Sequence, residues 1–323
     1  MRNLMSGDGL SFSIAQTRWL GTGRCDASKT PSTRSSGLAL YLVFLVAILI
    51  IAAMVYAPIR RRRHRQALAA QPFPRQWRLV LRERWLLYRY LPVDVRFALQ
   101  RQLQIMMANT EFYGCNGLEV TETMRLLTLA QAALLYRNIS QDQLASFPTV
   151  LLYPDAFVRE GELTDELGLV SRQRHIMLGE SWQQGRVILS WSDIEQDLRR
   201  LDGHNLVIHE YAHQIDGYDG SMNGAPLLPN ETQYRRWTRV MTAAFEDVNH
   251  QVQWGESPID PYASTNPAEF FAVVSEYFFT QPDLLQRLYP EVYTLLAGFY
   301  RQQPLEWLGE VQRLGQSTIN SKT

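Results

Sequence analysis

The run "LALYLVFLVAILIIAAMVYA", Leu38–Ala57, contains no charge and no proline. About 20 apolar residues are what an α-helix needs to cross the hydrocarbon of a bilayer, where its backbone groups must be bonded internally. A buried core helix is disfavoured, because the run has no polar face anywhere. A cleaved signal sequence is disfavoured too, since its apolar region is shorter and this run lies far from Met1. The sequence therefore predicts one transmembrane helix over residues 37–58. Arg60, Arg61, Arg62, Arg63 and Arg65 follow it directly, against Arg24, Lys29 and Arg34 on the other side. Positive flanks stay inside. The expectation is a single-pass protein of the inner (cytoplasmic) membrane with its C-terminal bulk in the cytoplasm. A start codon downstream of the run would give a soluble cytoplasmic form instead. The basic juxtamembrane segment, 59–72, fits lipid head groups better than nucleic acid.

Residues 1–36 are rich in Ser, Thr, Gly and Arg without apolar period and read as a disordered leader; 314–323 reads as a flexible tail. Residues 73–313 between them read as one domain. Acidic and basic residues balance at 32 each, so net charge gives no reason to expect a nucleic-acid partner. Cys25 and Cys115 alone make neither a disulfide framework nor a thiolate metal site. Helical spacing predicts helices from Pro74 to Phe112 interrupted at Pro92, then one capped by Thr121, and further ones near Asn205, Glu231–Asn249, Pro267–Phe279, Pro282–Leu288 and Pro290–Gln302. Short β-rich segments place strands at Thr149–Tyr153 and Arg186–Trp191. The expected class is α+β, mostly helical with a small mixed sheet.

Within this frame "LVIHEYAHQIDG", Leu206–Gly217, carries the chemistry. Residues four apart share a helix face, so His209 and His213 can aim two imidazole nitrogens at one ion. Glu210 flanks that point, where a general base for a metal-activated water belongs. Gly217 could supply a left-handed cap. A metal on such a helix also needs a third protein ligand. Asp216 lies too close along the same helix to complete a tetrahedron. In "STNPAEFFAVVSEYFF" Pro267 suits a first helical turn, and Glu269 and Glu276 share one face of an otherwise apolar helix. Either glutamate could be the ligand; the plain alternative is that both meet solvent.

"NLVIHEYAHQIDGYDGSMNGAP" together with "IDPYASTNPAEFFAVVSEYFF" resembles the Mlc titration factor A family of glucose-regulated zinc metallopeptidases. "FYGCNGLEVTETMRLLTLAQAALLY", "TVLLYPDAF" and "GRVILSWSD" support the resemblance, which spans about residues 73–310. It implies a zincin-like (gluzincin) fold and one Zn2+ per chain held by His209, His213 and Glu269. It further implies Glu210 as general base and Tyr262 as catalytic tyrosine. Glu276 then takes a supporting or surface role, and Asp216 is a candidate for orienting a histidine ligand. The implied activity is peptidase or aminopeptidase-like, on a peptide or protein substrate, with a transcriptional repressor as regulatory partner. The best-known member of the family lacks a membrane anchor, so the apolar run is a departure. The expected function is a membrane-tethered zinc peptidase; the alternative is a non-catalytic, zinc-stabilised module that sequesters a regulator at the membrane. "RVILSW" could be a sheet edge that pairs with an extended peptide, or an ordinary central strand.

Overall fold

The computed structural model describes residues 33–139, 148–155 and 185–308; the tail and nearly all of the leader lie outside these. The chain forms two compact units, divided between Arg60 and Arg61. Helix α1 (Thr33–Ala70) continues through Pro58 and the arginine run. From Tyr41 it is long and apolar enough to cross a membrane, and no protein covers its apolar window.

The second unit opens with α2 (Arg75–Arg84), α3 (Leu86–Tyr90) and α4 (Val93–Asn109). Then come β1 (Phe112–Gly114), α5 (Glu122–Tyr136), β2 (Thr149–Tyr153), β3 (Arg186–Ser190) and α6 (Trp191–Asp197). The remainder is α7 (Leu206–Asp216), α8 (Glu231–Gln253), α9 (Pro267–Thr280), α10 (Pro282–Leu288) and α11 (Pro290–Tyr300).

The sheet corrects one expectation. It is not mixed: among the described residues it has three strands in the order β1-β2-β3, all parallel. Val150 lies opposite Phe112 on one side and Val187 on the other. Parallel neighbours need long crossovers, and α5 lies in the one between β1 and β2. β1 escapes a reading by pattern because three residues are too few to display an alternation. β3 ends one residue early, as Ser190 accepts a hydrogen bond from the Asp193 amide and caps α6 with Trp191 as its first residue.

Three helices position the site. Thr121 caps α5 as expected, and every residue from Leu126 to Tyr136 is buried. All residues of α9 from Ala268 to Thr280 are buried as well. A helix apolar all round belongs in the interior. α7 packs against both, and the edge-on contact of Tyr136 with Tyr211 at 5.6 Å joins it to α5. Prolines occupy the first position of α9, α10 and α11, and those of α10 and α11 start each helix where the preceding one ends.

Candidate metal centre

The first turn of α7 is fixed by side chains from three other elements. Asn205 caps it, its Oδ1 accepting from the Ile208 amide at 2.9 Å, while its Nδ2 donates to Gln131 Oε1 on α5 at 2.6 Å. The Asn205 amide donates to Glu276 of α9. The Leu206 amide donates to Asp197 Oδ2, at the end of α6, at 2.7 Å. These bonds satisfy the orphan donors of a helix start, and both carboxylates sit at its positive end.

α7 thus presents His209, Glu210 and His213, all buried, towards the first turn of α9. Asn266 caps that turn through the Ala268 and Glu269 amides at 2.9 and 3.0 Å. Glu269 and Glu276 are each only 4% exposed, so neither meets solvent. Glu269 Oε2 lies 3.1 Å from His209 Nε2 and 3.2 Å from His213 Nε2, and the two imidazole nitrogens are 3.1 Å apart.

These spacings test whether a metal fits. Tetrahedral zinc with bonds of about 2.0–2.1 Å keeps its ligand atoms roughly 3.3 Å apart, close to all three distances. The donor set agrees: His209 Nδ1 lies 2.7 Å from Glu276 Oε1, so that nitrogen carries the proton and Nε2 faces Glu269 with its lone pair. A cation between the three atoms reconciles two lone pairs and a carboxylate. With no cation the charges adjust. Burial works against the His209 cation, yet Glu276 and Glu269 outweigh it and raise its pKa well above the usual imidazole value. Burial likewise works against the Glu269 carboxylate, but hydrogen bonds from His209 and His213 pull its pKa below the usual carboxylate range.

His209, Glu210 and Tyr262 line a cleft of about 440 Å³, whose described lining includes neither His213 nor Glu269. The Tyr262 ring, half-buried, lies 6.0 Å from the His209 ring. Asp193, Asp197, Asp202 and Asp260 line the same cleft against Arg200 and His204, an acidic wall that the motif reading missed. Three of the four aspartates lie in the charged stretch Asp193–Asn205 just before the metal-binding pattern. Asp216 does not orient a histidine by any hydrogen bond found here. Its Oδ2 accepts from the Gly224 amide at 2.8 Å and closes the loop after α7. Burial pushes its pKa up to about 6. Nor does Gly217 supply a left-handed cap, since its φ is −74° and a short 3-10 turn continues to Gly220, where φ reaches 91°.

The model of the glucose-regulated metallo-peptidase M90 family matches residues 59–301, three quarters of the chain. The chain belongs to that family. The uncharacterised protein slr2042 of Synechocystis sp. is 36% identical over 241 residues, 74% of this chain and 88% of its own length. Mlc titration factor A of Klebsiella pneumoniae strain 342 is 37% identical over 230 residues, 68% of this chain and 86% of its own. A second Klebsiella pneumoniae Mlc titration factor A is 40% identical over 225 residues. The M90 match spans His209, His213 and Glu269, three buried residues that could hold a metal ion, and the family's metallo-peptidase description implies a metal.

Proposed function

We propose that residues 73–313 form a gluzincin-like zinc peptidase domain, tethered by α1 to the inner membrane with the domain on the cytoplasmic side. The observation that carries this reading is the spacing of the His209, His213 and Glu269 ligand atoms, all within 4.8 Å of one another. A Zn2+ held there supplies Lewis-acid polarisation of a water and of the scissile carbonyl. Glu210, on the cleft side of the centre, takes the proton from the attacking water and passes it to the leaving amine. Tyr262, on the lining of the same cleft, donates its phenol hydrogen to the oxyanion as the carbonyl becomes tetrahedral. β3 pairs only with β2 among the described residues, which leaves a strand edge for an extended peptide.

Glu210→Gln is the decisive variant. It should fold and retain zinc while hydrolysis of a peptide library falls by about 10²–10⁴-fold, the usual worth of a positioned base. Hydrolysis at the wild-type rate would refute the peptidase reading. The name of the Klebsiella relatives favours a second reading, in which the domain captures a transcriptional repressor and zinc only holds the fold. Under it, Glu210→Gln would leave repressor capture intact, and no peptide in the library would be cut by either form.

A further inference from the structure

Asp260 joins the turn that carries Tyr262 to two neighbouring segments. Its Oδ1 accepts from the Tyr262 amide at 2.9 Å, capping the 3-10 turn Pro261–Ser264. Its Oδ2 lies 3.2 Å from His204 Nε2, in the loop that leads into α7. Its own amide donates to the Tyr277 hydroxyl on α9 at 3.1 Å. Gly203, at φ +98°, runs so close to Tyr277 that a Cβ there would come within 2.5 Å of the ring. The loop before the metal helix, the turn that carries Tyr262 and the helix that carries Glu269 are thus joined through one aspartate.

A four-residue 3-10 turn has little stability of its own, because its hydrogen bonds are few and poorly aligned. Tyr262 is half-buried, lines the cleft and packs against the core. Catalytic groups tolerate little displacement; an error of about 1 Å can cost 10²-fold in rate. The ties to Asp260 anchor the turn to α9, which carries Glu269, and to the loop that leads into α7.

We infer that Asp260 is a positioning residue that holds the turn carrying Tyr262 in place beside His209, with His204 and Tyr277 as its anchors. The inference rests on the peptidase reading and adds a residue that acts only through Tyr262. A double-mutant cycle on the full-length, zinc-loaded protein tests it. Tyr262→Phe should lower kcat by about 10²–10³-fold, as loss of an oxyanion donor does. Asp260→Ala should lower kcat by at least about tenfold with KM and zinc content unchanged, and by less than about twofold when Tyr262 is already Phe. Asp260→Asn keeps an acceptor for the Tyr262 amide and should recover part of the loss. Tyr277→Phe lies outside the cleft lining and should show the same dependence on Tyr262, which covers the case of an Asp260→Ala protein that does not fold. Equal losses in both backgrounds would overturn the inference, for Asp260 would then act independently of the tyrosine. So would a Tyr262→Phe enzyme of full activity. In either case Glu210→Gln reports separately on the peptidase reading, which stands if that variant alone is dead.

Discussion

His209 engages both ring nitrogens, and so ties two glutamates of α9 to one imidazole. Nε2 faces Glu269 and the metal position, while Nδ1 lies 2.7 Å from Glu276. Glu276 also accepts from the Asn205 amide, so one carboxylate sets both the tautomer of a ligand and the start of its helix. The spacing of Glu269 and Glu276 on one helical face was legible in the sequence, as were the paired histidines. Which glutamate meets both histidines was not, because period fixes a face but not how deep each side chain lies or what stands opposite it. The same limit explains Asp216, which is near His213 in sequence but spends its bonding on Gly224. Replacing Glu276 with Gln should weaken zinc binding by about 10–100-fold, as loss of such a supporting partner commonly does. Competition against a chromogenic chelator measures this, and an unchanged affinity would remove Glu276 from the role.

The elements α6, α7 and α9 meet at two junctions that the sequence pattern could not reveal. The loop after α7 returns to α9 at Gly224, where φ is +75° and a Cβ would stand 2.2 Å from the Pro267 carbonyl oxygen. Trp237 Nε1 donates to the Gly224 carbonyl at 2.8 Å, which holds the loop against α8 too. A side chain there would have to push the loop off the first turn of α9, two residues before Glu269. Gly224→Ala should therefore cost about 1–3 kcal/mol or more in stability, read as a lower denaturation midpoint, and zinc affinity should fall with it. An alanine variant as stable as the parent would show that the loop yields freely. The second junction is Asp197, whose pKa is pushed up to about 7, by burial first and then by the Glu276, Asp193 and Asp202 charges, against the pull of the Leu206 amide. In the metal-free fold this carboxyl keeps its proton where the unfolded chain has lost it, between about pH 4 and 7. The folded state then binds more protons, so stability falls as pH rises through that window. Asp197→Asn should flatten this part of the stability profile of metal-free protein, as followed by denaturant titration at several pH values; an unaltered slope would count against the assignment. Most helix starts and the strands β2 and β3 were legible because each is a periodic or β-branched run between turn residues, whereas the break between α2 and α3, the end of α4 before Phe112 and the helix α6 were not. Strand direction was not, since it depends on how the connecting segments cross, and no short-range pattern encodes that.

At the scale of the whole molecule, the two units differ in how much apolar surface they bury. The large apolar side chains of α1 from Tyr41 to Tyr56 are 50–78% exposed. Burying each would gain about 1.5–3 kcal/mol, so leaving the run in water forgoes something on the order of tens of kcal/mol. The second unit has no such deficit: its buried residues form one core cluster, and α5 and α9 enclose the metal helix within it. The ligands, the Asn205 and Asn266 caps and the Asp260 contacts all come from residues after Arg61. On the proposed function, chemistry at the centre has no need of α1, whereas location at the membrane depends on it. Full-length protein should remain in the membrane fraction through washes with high salt, which would strip a protein held only by its arginines, since charge attraction is screened within about 3 Å at 1 M salt. A form lacking residues 1–60 should leave that fraction, yet keep its zinc and its sensitivity to Glu210→Gln. Release of the full-length protein by salt alone would mean that α1 does not span, and the arginine run would then be the whole attachment. Retention of the truncated form would place a second membrane contact on the catalytic unit itself.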